Sequence, residues 1–241
     1  MLSSAIVIPA RMGSTRFPGK PLVDLCGKPM IQWVYERSMA SGVTDQVLIA
    51  TPDQEIIDAC NFFGAPSILT RSDHPTGTDR IAEVAEKVNA DVYINVQGDE
   101  PLIDIETIQS VFEPFTDPSV KMASVFSDCV ESEVDNPAVV KVVTDLNNNA
   151  LYFSRWAIPY PRNPRSETLK KHIGIYAYRR NVLSFYPSWS QTPLEISESL
   201  EQLRFLENGI PIRMVRGQGS IVSVDTPEQA EEVRKFLTKQ L

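Results

Sequence analysis

The first hundred residues alternate short apolar runs with amphipathic stretches, and this alternation constrains the fold more than any other feature of the chain. Three runs rich in β-branched residues predict buried strands, over residues 4–8, 46–50 and 92–96. Apolar residues at helical spacing predict helices over residues 29–40, 53–63 and 78–88. Strand and helix in this order indicate parallel βαβ units, and therefore a doubly wound α/β sheet.

The pattern changes after Ile103. A helix is predicted over residues 104–115, but the strand candidates at 120–127, 138–144 and 173–178 follow with no clear helix between them. Helices are again predicted over 194–207 and 227–238, the second with proline in its first turn. These features predict a mixed sheet with an antiparallel extension, in a single domain over residues 1–241.

Charge and cysteine usage narrow the class of protein. The formal net charge is −8, which argues against a broad surface for nucleic acid or anionic membranes. Cys26, Cys60 and Cys129 have neither paired nor metal-type spacing, so we expect reduced thiols. Residues 1–10 lack a basic region, and their apolar stretch is too short for a signal peptide or a membrane span. A soluble, cytoplasmic protein is expected.

Residues 9–21 (PARMGSTRFPGKP) form a turn-rich, basic loop directly after the first predicted strand. In open α/β sheets, ligands bind beyond the carboxyl ends of the strands. Glycines let the backbone approach an anion, and Arg11, Arg16 and Lys20 supply charge-assisted hydrogen bonds. Pro18 and Pro21 occupy positions where a Walker A loop needs Gly and Ser/Thr, and no Gly-x-Gly-x-x-Gly is present. The loop predicts a polyphosphate site of another kind, the alternative being a basic surface loop.

Two aspartates are candidates for a metal site. Asp99 lies in NVQGDEP (95–101), after the most strand-like segment, where Mg²⁺ could use it together with phosphate oxygens and water. The alternative is a helix cap, but Asp104 is better placed to cap the helix that follows. Asp225 precedes Thr-Pro and a predicted helix, so spacing alone predicts a cap or turn residue there.

Together, these segments resemble the 3-deoxy-manno-octulosonate (Kdo) cytidylyltransferases over nearly the whole chain. The matching segments are IPARMGSTRFPGKP (8–21), GKPMI (27–31), TGTDR (76–80), NVQGDEP (95–101), ALYFSR (150–155), HIGIYAY (172–178), LEQLRFL (200–206) and VDTPE (224–228). The resemblance implies a nucleotide-diphospho-sugar transferase-like fold: a mixed, mostly parallel sheet with an antiparallel extension for sugar binding and dimerisation. Residues 1–103 would form the nucleotide-binding half, and residues 104–241 the sugar-binding and dimerisation half.

The family's reaction follows from the same resemblance. The anomeric hydroxyl of Kdo attacks the α-phosphorus of CTP, pyrophosphate leaves, and CMP-Kdo is formed for lipopolysaccharide biosynthesis. The resemblance also implies Mg²⁺ as cofactor, a cytoplasmic homodimer, and no nucleic-acid or membrane partner.

The resemblance assigns roles residue by residue. Arg11, Ser14 and Lys20 would hold the triphosphate; Ala10, Arg71, Gly77 and Arg80 would line the nucleotide site; Asp99 and Asp225 would bind Mg²⁺; and Gln97, Arg155, His172, Tyr176, Glu201 and Gln202 would face the sugar acid. Lys20, Asp99, Arg155 and Asp225 would be the catalytic set. On residue patterns alone, His172 and Tyr176 could be core residues, and Glu201 and Gln202 could be solvated. Arg155 follows an apolar strand and needs an anion, which the substrate carboxylate would supply.

Two positions depart from the family pattern. Ile196 stands where many relatives carry His, and Ser223 stands where Gly is often found. Both are expected at the sugar end, which leaves a Kdo relative open as the substrate, for example an 8-amino analogue paired with Glu198 or a capsule-pathway Kdo. Another sugar acid, such as a sialic acid, is a further alternative. A non-catalytic nucleotide-binding regulator is an alternative of a different class, although it would be expected to lose the metal carboxylates.

Overall fold

The structure, a computed structural model, describes residues 2–14, 16–164 and 167–239. The strands are β1 Ser4–Pro9, β2 Asp24–Leu25, β3 Lys28–Pro29, β4 Val47–Thr51, β5 Ser67–Leu69, β6 Val92–Asn95, β7 Met122–Asp128, β8 Lys141–Thr144, β9 Ala150–Ser154, β10 Lys170–Arg179 and β11 Ile212–Arg216. The α-helices are α1 Met30–Ala40, α2 Gln54–Phe63, α3 Gly77–Lys87, α4 Ile105–Phe112, α5 Arg180–Phe185, α6 Pro193–Glu198, α7 Gln202–Glu207 and α8 Pro227–Thr238. None of the helices in these ranges has the length and apolarity needed to cross a membrane.

One sheet of nine strands organises the fold, in the order β11-β7-β10-β6-β1-β4-β5. Parallel pairing joins β6, β1, β4 and β5, which are the strands of the βαβ region. The long strand β10 runs antiparallel between β6 and β7. Its first residues, Lys170 and Lys171, also pair with β8, and β9 pairs with β8. The predicted doubly wound mixed sheet with an antiparallel extension is confirmed.

The alternation of side chains along β1 explains why helices cover both faces of the sheet. Ala5 and Val7 point into a core that includes Ile81 of α3, whereas Ile6 and Ile8 point into a core that includes Val34 of α1. All of these side chains are buried. Because both faces are apolar, β1 needs a helix layer on each side, as its continuous apolar sequence predicts.

The structure corrects the second half in several places. The single helix predicted over 194–207 is wrong: it is two short helices, α6 and α7, separated at Ser199, whose φ of 52° is left-handed. The helix predicted over 104–115 ends as an α-helix at Phe112 and continues as a 3₁₀ turn, Glu113–Thr116. Strand β11 and helix α5 were not predicted at all.

Candidate active site

A cavity of about 370 Å³ opens beyond the carboxyl ends of β1 and β6. Its wall is built from the basic loop after β1, the segment leading into α3, the turn after β6 and the residue before the cap of α8. The polar and glycine residues that line it are Arg11, Gly13, Ser14, Arg16, Lys20, His74, Thr76, Gly77, Arg80, Gln97, Gly98, Asp99 and Asp225. The predicted meeting of the loop after β1 with the loop after β6 is therefore observed.

Lys20 joins two aspartates that are far apart in the sequence. Its Nζ donates to Asp99 Oδ2 at 2.8 Å and to Asp225 Oδ1 at 3.2 Å. Arg16 adds a third cation-to-carboxylate contact, with Nη2 at 3.1 Å from Asp225 Oδ1. The Lys20 side chain is only 13% exposed, so its ammonium group is shielded from solvent, whereas Arg16 at the edge of the cluster is 67% exposed.

Asp225 is not a helix cap, which corrects the expectation from spacing. Thr226 is the N-cap of α8, and its side chain accepts from the backbone N–H of Gln229. The side chain of Asp225 is left to face the cavity. By contrast, Asp104 caps α4, accepting from the N–H of Thr107 at 2.9 Å, as expected.

Glu100 differs from its neighbour Asp99 in its surroundings. Burial raises the pKa of Glu100 to about 7, although Ser223 donates to its Oε1 at 2.7 Å. Glu100 does not line the cavity. Ser223, one of the two departures from the family pattern, thus lies against Glu100 beside the aspartates, and not at the sugar end as expected.

The predicted nucleotide residues reach the cavity from two walls, the loop after β1 and the start of α3. Ala10, Arg11, Ser14, Gly77 and Arg80 all line the cavity. Arg80 is buried and donates from Nη1 to Thr70 Oγ1 and to the backbone carbonyl of Arg71. Burial, and then the charge of Arg11, lower the pKa of Arg80. Both arginines line the same cavity.

Arg71 does not line this cavity. Its side chain is 70% exposed and pairs with Asp73 at 3.1 Å. His74, which was not predicted, does line it, and its ring is held by Glu83 of α3. The sequence signal for His74 was its place two residues before the TGTDR segment.

A second cavity of about 150 Å³ joins the first at Gly77 and Gln97, which line both. Four residues predicted to face the sugar are brought together here: Gln97, Tyr176, Glu201 and Gln202. Sequence reasoning missed four more lining residues: Thr78, Asn95, Tyr178 and Phe205. Tyr176 lies opposite Asn95 in the β10–β6 pairing, so the antiparallel strand places the second cavity next to the first.

Polar groups in the second cavity are only partly satisfied by the protein. Thr78 Oγ1 donates to Glu201 Oε1, and Tyr176 OH donates to Gln202 Oε1 at 3.3 Å. Within the described ranges, the buried Nε2 of Gln202 has no hydrogen-bond partner. Burial raises the pKa of Glu201. A buried amide donor without an acceptor is costly, and a bound hydroxyl or carboxylate would satisfy it.

His172 and Arg155 lie outside both cavities. The His172 ring packs against Phe153 and Tyr176, with centroids 5.0 and 5.4 Å away, and its Nε2 is 2.9 Å from Ser124 Oγ. Burial lowers the pKa of His172 to about 3, so the ring is neutral. The Arg155 guanidinium donates to three backbone carbonyls, those of Pro137, Glu198 and Ser199, at 3.0, 2.7 and 3.2 Å.

Known proteins resemble the chain along its whole length. A family model described as cytidylyltransferase matches residues 5–214. The 3-deoxy-manno-octulosonate cytidylyltransferase of Escherichia coli is 46% identical, with 100% of this chain and 98% of that protein covered. The protein of the same name from Trichlorobacter lovleyi is 47% identical, with 95% and 96% covered. The chain belongs to the 3-deoxy-manno-octulosonate cytidylyltransferase family.

Solved structures agree with this assignment. A CMP:2-keto-3-deoxy-manno-octonic acid synthetase complexed with CTP superimposes with a TM-score of 0.96 at 45% identity, covering 99% of this chain and 100% of that one. A 4-diphosphocytidyl-2C-methyl-D-erythritol synthase from Anaerococcus prevotii shares the fold alone, with a TM-score of 0.68 at 10% identity and coverage of 98% and 99%. The chain is therefore a nucleotidyltransferase, as predicted.

Hydrogen bonds run in both directions between Glu198 and Arg155: the Glu198 carboxylate accepts from the Arg155 backbone, and the Arg155 guanidinium donates to the Glu198 backbone carbonyl. The Glu198 carboxylate accepts from the Arg155 backbone N–H (2.9 Å), Ser154 Oγ (2.7 Å) and Tyr152 OH (3.3 Å). Burial alone would raise the pKa of Glu198, but these hydrogen bonds outweigh it and lower the pKa. Three donors already satisfy this carboxylate, which speaks against the idea that Glu198 receives the amine of an 8-amino sugar. Ile196, on the same short helix, is 62% exposed.

The predicted Mg²⁺ can be tested against the donor atoms present. Within the described ranges, no group of three or more His, Cys, Asp or Glu side chains could hold a metal ion by itself. Asp99 and Asp225 nevertheless bind one ammonium group together, which shows that both carboxylates can reach a single cation. Two carboxylates, with phosphate oxygens and water completing the shell, are what Mg²⁺ commonly takes. The residues fit an ion that arrives with the nucleotide, and the ion stays a prediction.

Proposed function

We propose that this protein transfers CMP from CTP to the anomeric hydroxyl of Kdo, releasing pyrophosphate and forming CMP-Kdo. The observation that carries the proposal is the junction of the two cavities at Gly77 and Gln97. One cavity has clustered cations and carboxylates, and the other has buried amide, carboxylate and phenol groups. A triphosphate in the first and a polyhydroxy acid in the second would meet at this junction.

The residues of the first cavity provide charge neutralisation for phosphoryl transfer. Arg11, Lys20 and Arg80 supply positive charge around the phosphates, and Ser14 supplies a hydroxyl. Because such transfers depend mostly on positioning and electrostatics, fixed cations near the leaving pyrophosphate are the main contribution that the protein must make. Lys20, now engaged with two aspartates, is placed to contact the triphosphate oxygens as well.

Asp99 and Asp225 would hold Mg²⁺ in this proposal. When bound, the ion neutralises phosphate charge and orients the phosphates for in-line attack. The two aspartates face the cavity from different loops, so the nucleotide site is complete only when the loop after β6 and the segment before α8 are both in place. The Lys20 contacts hold them there.

The second cavity would bind the sugar acid through Gln97, Tyr176, Glu201 and Gln202. Glu201 offers an acceptor for sugar hydroxyls, and the unpaired Nε2 of Gln202 offers a donor. Arg155 does not line this cavity, and three of its five N–H donors already bind backbone carbonyls, so the predicted contact with the substrate carboxylate requires the Arg155 segment or the ligand to move. Arg155, like His172, therefore stays a prediction that needs a rearrangement.

We further infer a homodimer acting in the cytoplasm. Three large side chains near the antiparallel extension are exposed: Leu151 at 62%, Trp156 at 78% and Tyr160 at 84%. Large apolar side chains exposed in one part of the chain are suited to burial against a second copy of the chain. Sedimentation of the purified protein tests this inference, and a monomer at micromolar concentration would contradict it. A cytoplasmic location fits the use of CTP as substrate.

Pyrophosphate release tests the proposed function. CTP is offered with Kdo, 8-amino-Kdo and N-acetylneuraminate, to the wild type and to Asp99→Asn and Asp225→Asn. We expect turnover with Kdo, and its loss by several orders of magnitude in both variants with unchanged circular dichroism. Asp58→Asn on the exposed face of α2 is the matched control and should behave as wild type. A preference for another acid would refute Kdo as the substrate, and active aspartate variants would refute the metal assignment. Binding of CTP without turnover of any acid would favour the alternative of a non-catalytic nucleotide-binding regulator.

A further inference from the structure

His74 lines the nucleotide cavity, although neither the sequence pattern nor the proposed mechanism uses it. Its side chain is only 6% exposed, and its Nε2 is 2.5 Å from Oε2 of Glu83. Glu83 lies on α3, and its carboxylate also accepts from the backbone N–H of Arg71 and from Lys87. The ring is therefore fixed in place by a helix and is not a mobile surface side chain.

The state of Glu83 determines which nitrogen of His74 carries a proton. Burial would raise the pKa of Glu83, but hydrogen bonds from Lys87, His74 and the Arg71 backbone outweigh it and lower the pKa to about 2. An ionised carboxylate only accepts hydrogen bonds, so Nε2 of His74 must be the donor. In the neutral imidazole, Nδ1 is then an acceptor. Nδ1 makes no hydrogen bond to the part of the chain that the structure describes.

The position of His74 in the cavity suggests which part of a bound nucleotide would lie near its Nδ1. Lys20, Asp99 and Asp225 form the cluster suited to phosphates and metal, whereas His74 belongs to the separate segment that leads into α3. If the phosphates of a nucleotide lie at the Lys20 cluster, its base lies against another wall of the cavity. Cytosine carries an amine donor at its 4-position, where uracil carries a carbonyl acceptor. An acceptor at Nδ1 attracts the first and repels the second.

We propose that Nδ1 of His74 accepts a hydrogen bond from the exocyclic amine of cytosine and thereby selects CTP over UTP. Glu83 is the positioning residue that sets the tautomer of this histidine. The inference rests on the proposed function, because it requires CTP in this cavity. It adds a determinant of base specificity to that function.

Kinetics test the selection. The wild type, His74→Ala and Glu83→Gln are compared with CTP and UTP at saturating Kdo, with Glu86→Gln, an exposed glutamate on the same helix, as matched control. Loss of one hydrogen bond, together with loss of the repulsion of uracil, should lower the CTP-to-UTP ratio of kcat/KM at least about tenfold in His74→Ala. Glu83→Gln should lower it less, and Glu86→Gln not at all. An unchanged ratio in His74→Ala, or an equal fall of kcat/KM for both nucleotides, would overturn the proposal.

Magnetic resonance gives a reading that does not depend on turnover or on the folding of a variant. The chain has only two histidines, so long-range ¹H–¹⁵N spectra of the wild type resolve both rings. We expect the Nε2–H tautomer for His74, and an Nδ1 resonance that shifts with CTP but not with UTP, while His172 serves as the second signal. A proton on Nδ1, or equal responses to both nucleotides, would contradict the proposal. If CTP binds as expected but the wild type releases no pyrophosphate with Kdo, the proposed function fails and the base assignment stands.

Discussion

Gly98 separates the loop after β6 from the end of β1, and replacing it with alanine should damage both stability and activity. A Cβ at this position would lie 2.7 Å from the backbone carbonyl oxygen of Pro9 and 3.3 Å from Cδ1 of Ile31. The first contact is with backbone, so it cannot be relieved by rotating a side chain. The loop that carries Gln97 and Asp99 must therefore move away from β1 by several tenths of an ångström.

The size of the effect follows from the cost of overpacking. Forcing extra atoms into a packed site costs about 1–3 kcal/mol. For a chain of this length, each kcal/mol lowers Tm by about 2–4 °C. Displacement of Asp99 relative to Lys20 should also lower kcat/KM by about tenfold to a hundredfold, because small errors in positioning are costly in such reactions.

Thermal unfolding and pyrophosphate release measure the two effects of Gly98→Ala. Gly174→Ala is the matched control, since a Cβ there meets nothing within 4 Å and Gly174 has no left-handed φ. We expect the control to retain the Tm and kcat/KM of the wild type. If Gly98→Ala does so too, the close approach of the two loops is not a constraint on the site, and the reasoning is wrong.

Three further predictions concern single side chains. Arg204→Met should lower the free energy of unfolding by about 3–5 kcal/mol in urea titrations, because the buried Glu195 carboxylate loses both hydrogen bonds that Arg204 donates to it. The double variant with Glu195→Leu should recover part of this loss. Lys20→Met should raise the KM for CTP roughly tenfold to a hundredfold, and a KM equal to that of the wild type would exclude its phosphate contact. His172 has a pKa of about 3 when folded, below its ordinary 6.5, so its contribution to stability is present above pH 6.5 and is lost as pH falls towards 3. Unfolding titrations from pH 7 to 4.5 should show a smaller loss in His172→Gln.

The first half of the fold was predictable because its periodicity is local. Apolar runs and helical spacing are read within ten or so residues, and the strands β1, β4 and β6 follow from them. The break at Ser199 was not predictable, since serine rarely adopts a left-handed φ and no glycine marks the position. Its carbonyl is held by Arg155, 44 residues earlier in the chain, and no local pattern contains that contact. The division into halves at residue 103 stays a prediction.

The site was predictable to the extent that loops at strand ends had to meet. Lys20 and Asp99 follow two parallel neighbours of the sheet, so their meeting follows from the βαβ pattern. Asp225 needed the family resemblance, because its local sequence is also that of a cap. His74 was not predicted because its role depends on its hydrogen bond to Glu83, and only the fold of α3 places Glu83 next to it. Arg155 and His172 lie outside the cavities because contacts with residues more than forty positions away decide where their side chains point. Arg71 instead pairs with its near neighbour Asp73.

The two cavities differ in the part of the sheet that builds them. The first cavity lies at the ends of parallel strands. Much of the second cavity is lined instead by residues of the antiparallel strand β10 and of the α7 segment. Mutations in β10 or α7 can consequently reshape the second cavity without disturbing the first. If the proposed function holds, substitutions confined to β10 and α7 can therefore alter the choice of acidic sugar while the chain keeps the same nucleotide donor.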